Sequence, residues 1–373
     1  MKKFVIAFLI SAAIFFSLVF SLGNLANAKH EDFQVAMITD IADVNDASFN
    51  QACYEGAKEW SNRSDVKFNY YKPSSNSLAE RVKSFKLAID RGYNVIICPG
   101  FAAGKAIAEV APLHPDVKFI GLDISEGDFP EGFTLTDNIA IYNYHEEIAG
   151  YLAGYAAVKD GYTRLGFLGG MDSPAVINYG YGYVQGINAA AVEKETKVDV
   201  QYVYGGQFFG DSDIYKHIDN WYKVNKTEVV FSCGGSIYTS VALAAKENNG
   251  YMIGVDSDQA PIIDKDYKEG ICITSAMKGM KQTVFDKLDA LYKDKSNWEQ
   301  GMHYLGLVSS EDPSHNYVQL ALDHWRLNNY SIDEYKALLK EIIDGERVIS
   351  SDITNPPLID TNYVSVNYQG KIK

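Results

Sequence analysis

Cysteine is scarce in this chain of 373 residues, and the four cysteines lie far apart. No pair has the CxxC spacing, and no histidine stands near them at the spacing of zinc ligands. A structural zinc site and a dithiol redox motif are therefore both excluded. We predict instead that the four are small buried apolar residues: Cys53, Cys98, Cys233 and Cys272.

Basic residues are also few relative to acidic ones. There are 34 Lys and Arg against 48 Asp and Glu, which gives a net charge of −14. A chain of that charge repels phosphate backbones, so nucleic acid is not an expected partner. The remaining composition, with 47% apolar and 22% charged residues, is that of a globular protein and excludes a disordered or collagen-like chain.

The common catalytic motifs are absent as well. The chain contains no GxxxxGK[ST] and no GxSxG, and the stretch His145–Ala149 lacks the second histidine of HExxH. Gly180–Gly186 resembles a dinucleotide-binding fingerprint, but it is one residue too long and lies in a helical pattern, which indicates helix packing. We therefore predict no catalytic residues, no metal and no cofactor.

The N-terminus has the features of an export signal. Lys2 and Lys3 precede an apolar run over residues 4–22, and Ala26-Asn27-Ala28 offers a cleavage site before Lys29. This pattern predicts a signal peptide over residues 1–28. The run is long enough for an uncleaved membrane anchor, which is the alternative. Both interpretations place the rest of the chain outside the cytoplasmic membrane, in the periplasm or at the cell surface.

From Phe33 onward, apolar runs rich in Val, Ile and Phe alternate with amphipathic stretches of helical length. This alternation is typical of βαβ units around parallel sheets. The pattern weakens over residues 136–143 and then restarts, which predicts two similar α/β lobes. We assign residues 29–141 and 260–300 to the first lobe, and residues 142–259 and 301–373 to the second. No low-complexity linker separates them, so we expect strand crossings between them.

Polar residues and glycines follow several of the predicted strands. In open α/β sheets, ligands bind at the carboxyl ends of the strands, so these residues are candidates for a site. Asp46 or Ser48 is expected to cap the helix that begins at Phe49. Asp256 and Lys278 end neighbouring strands and together suit sugar hydroxyls, because a carboxylate accepts and an ammonium donates. A surface ion pair is the alternative for these two residues.

Five segments carry a further signal, and they occur in a fixed order. They are Asp46-Ala-Ser-Phe-Asn-Gln51, Glu146-Glu-Ile-Ala-Gly-Tyr-Leu-Ala-Gly154, Leu165-Gly-Phe-Leu-Gly-Gly170, Ile253-Gly-Val-Asp-Ser-Asp-Gln259 and Thr274-Ser-Ala-Met-Lys278. In sequence and spacing they resemble the motifs of the basic membrane protein family, the purine-nucleoside-receptor type of substrate-binding protein for ABC transporters.

The resemblance implies a fold, a function and partners. The fold is the α/β periplasmic-binding-protein type I fold, in which two Rossmann-like lobes with parallel sheets are joined by three hinge crossings. The implied function is capture of a small ligand, a purine nucleoside, in the cleft between the lobes and its delivery to an ABC permease in the membrane. We expect a monomer without enzymatic activity.

The resemblance also implies roles for residues of the first lobe. Asp40 and Asn50 would hydrogen-bond the base, and Phe49 would stack on one of its faces. Asp123 would lie near the wall of the cleft.

Asp256 and Lys278 would hold the ribose hydroxyls, with the backbone at Gly234 nearby. A second aromatic ring would close the sandwich on the base. Two adjacent candidates exist, and we favour Phe209 over Phe208.

The chain departs from the family at two places. Most relatives carry a lipidated cysteine at the end of the signal, and none of residues 22–29 is cysteine. The glycine-rich turn of the family, G-G-x-G, ends here in Ile237. Alternatives with the same fold are a binding protein for riboflavin, a sugar or a signalling molecule. A more remote alternative is a nucleoside hydrolase that uses Asp40, Asp43 and Asp46 with calcium.

Overall fold

The computed structural model describes residues 32–40 and 42–373, so the predicted signal peptide lies outside the described residues. In the part it covers, no helix is both long and apolar enough to cross a membrane. The chain forms two α/β lobes, each built around a largely parallel sheet.

The strands and helices alternate as the sequence predicts over most of the chain. The strands are β1 (Val35–Ile38), β2 (Phe68–Tyr71), β3 (Val95–Pro99), β4 (Lys118–Leu122), β5 (Ile139–Tyr144), β6 (Arg164–Gly169), β7 (Val198–Tyr204), β8 (Val229–Cys233), β9 (Tyr251–Asp256), β10 (Cys272–Lys278), β11 (Gly301–Leu305), β12 (Val318–Leu320) and β13 (Val364–Lys371). The helices are α1 (Phe49–Ser64), α2 (Leu78–Asp90), α3 (Gly104–Val110), α4 (Glu146–Asp160), α5 (Pro174–Glu193), α6 (Ser212–Asn220), α7 (Tyr238–Asn248), α8 (Ala260–Asp266), α9 (Met280–Lys293) and α10 (Ile332–Ile343).

The two sheets have similar strand orders. The first is β11-β5-β4-β3-β1-β2 and is parallel throughout. The second is β12-β10-β9-β8-β6-β7-β13, in which β12 runs antiparallel to β10. Helices cover both faces of a parallel sheet, so central strands such as β3 and β8 are buried along their whole length. The four cysteines are buried and free, as predicted.

The chain passes between the lobes three times. The first crossing leads from β5 to α4, the second from β10 to α9, and the third from β11 to β12. Helix α9 returns to the first lobe and packs on α1 so closely that a Cβ on Gly56 would lie 2.4 Å from the carbonyl oxygen of Lys281. The three crossings that the sequence resemblance implied are therefore confirmed.

The predicted lobe boundaries need correction after residue 259. Strand β10 pairs with β9 in the second sheet, although we assigned residues 260–300 to the first lobe. Strand β11 pairs with β5 in the first sheet, although we assigned residues 301–373 to the second lobe. The reason is that hydrophobic periodicity identifies a strand but does not tell which sheet edge it joins.

Helices α4 and α5 interlock through glycines. A Cβ on Gly150 would lie 2.0 Å from the carbonyl oxygen of Tyr179, and one on Gly182 would lie 1.9 Å from that of Glu147. No side chain fits at such a distance. The interpretation of the segment that contains Gly182 as helix packing is therefore correct, and the interlock fixes α4 beside the first crossing.

This interlock gives a stability prediction. Gly182→Ala should lower the free energy of unfolding by about 1–3 kcal/mol, because the added methyl group forces α4 and α5 apart. Gly127→Ala is the matched control, since the nearest atom to a Cβ there is 4.0 Å away. Urea denaturation would measure both variants. Equal stability of the two would contradict the interlock.

Candidate functional site

A cavity of about 580 Å³ lies between the lobes, at the carboxyl ends of strands from both sheets. Its size is within the range of about 300–1,000 Å³ that is usual for small-molecule sites. All eight residues predicted from the sequence line it: Asp40, Phe49, Asn50, Asp123, Phe209, Gly234, Asp256 and Lys278. Their contact with a ligand remains a prediction.

Lys278 is the centre of a buried charge cluster. It ends β10 at the second crossing, and its side chain is only 2% exposed. Its Nζ forms an ion pair with Asp123 of the first lobe, and it lies 3.5 Å from Oε1 of Glu146 and 3.8 Å from Oδ1 of Asp256. Lys278 therefore connects carboxylates of both lobes.

Burial and charge shift the pKa values in this cluster. Burial by itself would lower the pKa of Lys278, but the three carboxylates outweigh it and raise that pKa. Burial raises the pKa of Glu146 to about 8, against the opposing effect of Lys278. Burial also raises the pKa of Asp256.

The two aspartates at the strand ends have unusual backbones. Asp123 has a φ of 54° and Asp256 has a φ of 66°, which places both in the left-handed region. Such strain costs on the order of 1 kcal/mol or more and is typical of functional sites. Oδ1 of Asp123 is buried and has no hydrogen-bond partner among the described residues. A ligand hydroxyl would satisfy it.

Asp46 also lines the cavity and organises the start of α1. Its Oδ1 accepts from the backbone N–H groups of Ser48 and Gln51 at 3.0 and 3.1 Å, and its Oδ2 accepts from that of Asn50 at 3.0 Å. Of the two predicted caps, Asp46 is therefore the one that acts. The Asn50 side chain accepts from the backbone of Asp40 at 2.9 Å and donates to Asp46 at 3.1 Å, which fixes its orientation.

Asp40 lies against the chain turn that follows β3. A Cβ on Gly100 would lie 2.5 Å from the carboxyl carbon of Asp40, so only glycine fits at that position. The buried guanidinium of Arg81 lies behind the carboxylate, with Nη2 3.9 Å from Oδ1. Arg81 also donates to the carbonyl oxygen of Thr39 at 3.0 Å, which ties β1 to α2.

Four phenylalanines line the cavity, and three of them, Phe49, Phe208 and Phe209, are candidates for stacking on a ligand. The ring of Phe49 lies 5.3 Å from Nζ of Lys278. Phe208 packs on glycines of the second lobe, because a Cβ on Gly170 or Gly234 would lie 2.5 or 2.9 Å from its ring. Phe209 is 58% exposed. Both candidate rings of the second lobe therefore reach the cavity, and the choice of Phe209 stays a prediction.

Sequence reasoning missed several residues of the cavity wall. Tyr144 and Tyr179 are buried, and each ring centroid lies 5.6 Å from Nζ of Lys278. Glu146 belongs to a segment that we quoted for its family resemblance, yet it was not among the predicted site residues. Asn178 donates to Oε2 of Glu146 at 3.4 Å and also lines the cavity.

Two of the carboxylates that the calcium-dependent hydrolase alternative requires, Asp43 and Asp46, have separate partners in the structure. Asp43 pairs with Lys72 at 2.9 Å and is nearly half exposed, whereas Asp46 caps α1. Within residues 32–40 and 42–373, no group of three or more His, Cys, Asp or Glu side chains is arranged to hold a metal ion.

Comparison with known proteins agrees with this architecture. Residues 33–340 match the family of ABC transporter substrate-binding proteins described as PnrA-like. The ABC transporter nucleoside-binding protein BmpA of Lactococcus lactis is 28% identical over 337 residues, which cover 86% of this chain and 90% of that protein. Basic membrane protein A of Borreliella burgdorferi is 27% identical over 70% of this chain and 73% of its own length.

The fold also has solved counterparts. A solute-binding protein of an ABC transporter system from Aeropyrum pernix superposes with a TM-score of 0.66 at 19% identity, covering 86% of this chain and 88% of that one. This likeness confirms the two-lobed periplasmic-binding-protein type I fold. The match to the family extends over most of the chain. The chain therefore belongs to the basic membrane protein family, the PnrA-like proteins that bind a small molecule for an ABC transporter in the membrane.

Proposed function

We propose that this protein is exported, captures a purine nucleoside between its lobes and delivers it to an ABC permease. The observation that carries the proposal is that one cavity holds aromatic rings from both lobes beside a cluster of carboxylates around Lys278. A nucleoside has a flat base and a hydroxylated sugar, and these two parts match the two kinds of wall.

The aromatic side of the cavity would hold the base. Phe49 and a ring of the second lobe, Phe209 in our assignment, would stack on opposite faces, and such stacking contributes about 1–3 kcal/mol per base. Asn50 has one amide hydrogen and one carbonyl lone pair left after its bonds to Asp40 and Asp46. These groups would read the edge of the base.

The charged side would hold the ribose. Asp123 and Asp256 would accept hydrogen bonds from the sugar hydroxyls, and Lys278 would donate one. Hydrogen bonds to charged groups contribute about 1.5–3 kcal/mol each. These groups lie at the ends of rigid strands, so little conformational entropy is lost when the ligand binds. This favours affinity.

Ligand capture would proceed by closure of the lobes. A ligand that contacts both lobes binds the closed form more tightly and so shifts the population toward it. The lobes already meet through what we call the clasp, formed by residues 47–48 and 256–259. In the clasp, Ser48 donates to Oδ2 of Asp256 at 2.5 Å, and the carbonyl oxygen of Ala47 accepts from Ser257 and Gln259, each at 3.1 Å.

The relative from Lactococcus lactis, which is named a nucleoside-binding protein, supports the ligand assignment. Riboflavin would also stack between two rings, and a sugar would use the charged side alone. The engagement of Asp43 and Asp46 elsewhere favours a binding protein over the hydrolase alternative.

A thermal unfolding experiment tests the proposal. Inosine, guanosine or adenosine at about 100 times its Kd should stabilise the protein by roughly 2.7 kcal/mol, because the ligand binds the folded state alone. Ribose and riboflavin are the controls and should have little effect. Chromatography of the same mixtures should show no free base. The absence of stabilisation by every purine nucleoside would refute the assignment.

A further inference from the structure

We propose that the cavity selects among nucleosides by charge: it binds a purine nucleoside with a positively charged base more tightly than a neutral one and rejects nucleosides that carry a phosphate. This inference rests on the proposed function and names the class of nucleoside that fits best.

The first observation is the imbalance of charge on the cavity wall. Six carboxylates line it: Asp40, Asp46, Asp123, Asp128, Glu146 and Asp256. Among the described residues that line the cavity, Lys278 is the one basic side chain. The wall is thus acidic overall, whereas Arg and Lys are the side chains that bind phosphate most strongly.

The second observation is that Lys278 is already surrounded by acids. Three carboxylates from both lobes lie within 4 Å of its Nζ, and its side chain is 2% exposed. A phosphate that approached Lys278 would have to displace Asp123 or lie beside it. Like charges at such a distance in a buried site repel strongly.

Other positive charge near the cavity does not reverse this balance. Arg81 lies behind Asp40 and offsets that carboxylate alone. The N-terminus of α1 is occupied by Asp46. The N-terminus of α5 also reaches the cavity, and a helix N-terminus carries roughly half a positive charge. Even with Glu146 protonated, the cavity remains negative.

The aromatic rings add to the preference for a cation. Phe49 lies 5.3 Å from the ammonium of Lys278, and the three carboxylates within 4 Å of that ammonium offset its repulsion of a second cation. A charged purine stacked on Phe49 gains cation–π attraction that a neutral purine lacks. The same base is attracted by the net negative charge that the remaining carboxylates of the wall leave in the cavity.

Because the cavity excludes phosphate, one class of reaction must precede ligand capture. Nucleotides outside the cell would have to lose their phosphate to a phosphomonoester hydrolase before the cavity accepts them.

Titration calorimetry on the whole exported chain tests the inference. The probes are guanosine, 7-methylguanosine and guanosine 5′-monophosphate, in mildly acidic buffer where 7-methylguanosine is a cation. We expect 7-methylguanosine to bind about tenfold more tightly than guanosine, and the monophosphate to bind at least about a hundredfold more weakly. The neutral 7-methyl-7-deazaguanosine has the same methyl group and controls for shape.

A pair of variants tests whether the preference for a charged base arises from the cavity wall. Asp128 lines the cavity and accepts from Ser125 at 2.7 Å, whereas Asp352 is exposed far along the chain and accepts from Thr354 at 3.1 Å. Asp128→Asn should reduce the ratio of the 7-methylguanosine affinity to the guanosine affinity by about two- to threefold, because one wall charge is lost. Asp352→Asn removes the same charge from the surface and should leave the ratio unchanged.

The outcomes are distinguishable. If guanosine binds and neither the charged methyl group nor the phosphate changes its affinity, charge selection is overturned while the nucleoside assignment stands. If the neutral deaza analogue binds as tightly as 7-methylguanosine, shape rather than charge is selected, and the inference again fails. If no purine nucleoside binds at all, the proposed function falls and this inference falls with it.

Discussion

Replacement of Lys278 by methionine should lower the free energy of unfolding by about 3–5 kcal/mol and abolish nucleoside binding. The variant keeps the volume of the side chain but leaves Asp123, Glu146 and Asp256 buried without their counter-charge. Part of the stability should return on acidification, because a protonated carboxyl group needs no counter-charge. Urea denaturation at two pH values and calorimetry would measure these effects.

The matched control is Lys281→Met, three residues further along the chain. Lys281 pairs with Glu59 at 2.8 Å, and both side chains are at least half exposed. A surface pair of this kind contributes at most about 1 kcal/mol. If Lys278→Met were as stable as Lys281→Met, the cluster would not join the lobes as we describe.

Removal of both rings of the aromatic sandwich, in Phe49→Ala combined with Phe209→Ala, should weaken nucleoside binding by at least about two decades. Each ring is expected to contribute about 1–3 kcal/mol of stacking, and the two lie on different lobes, so the double variant also uncouples binding from closure. The affinity for every purine nucleoside should fall by a similar factor, because stacking does not distinguish the hydrogen-bonding groups of one base from those of another. Calorimetry with inosine and adenosine would show this.

Phe208→Ala serves as the comparison for the second ring. If it weakens binding while Phe209→Ala does not, the sandwich exists but uses the adjacent residue. Asn50→Ala should weaken some bases more than others. If all three phenylalanine variants bind normally, the base is held in another way and the nucleoside assignment loses its main support.

Much of the architecture could be predicted because parallel sheets impose a simple pattern. Strands buried on both faces appear as continuous apolar runs, such as Val95–Pro99, and the rule that ligands bind at the carboxyl ends of strands selects the residues that follow them. Asp40, Asp123 and Asp256 were found by that rule, and the structure brings all three to one cavity.

The residues that were missed had no such signal. Tyr144 and Tyr179 are buried aromatic residues, and an aromatic residue in a strand or helix is as typical of a hydrophobic core as of a binding site. Glu146 opens a helix, where an acid is expected for the helix dipole alone. Only the passage of the chain between the lobes places these three beside Lys278. The sequence also did not show to which sheet β10 and β11 belong, because this too depends on where the chain passes between the lobes.

The clasp affects the rates at which a ligand is bound and released. Its hydrogen bonds belong to the chain itself and add to the stability of the closed form, so a bound molecule leaves only after they break. Ala47 supplies two of these bonds from a strained backbone with a φ of 53°, which offsets part of their strength. A stronger clasp would lengthen the lifetime of the complex and slow both loading and release. Residues 47 and 48 therefore influence how many molecules per second the protein can pass to its transporter.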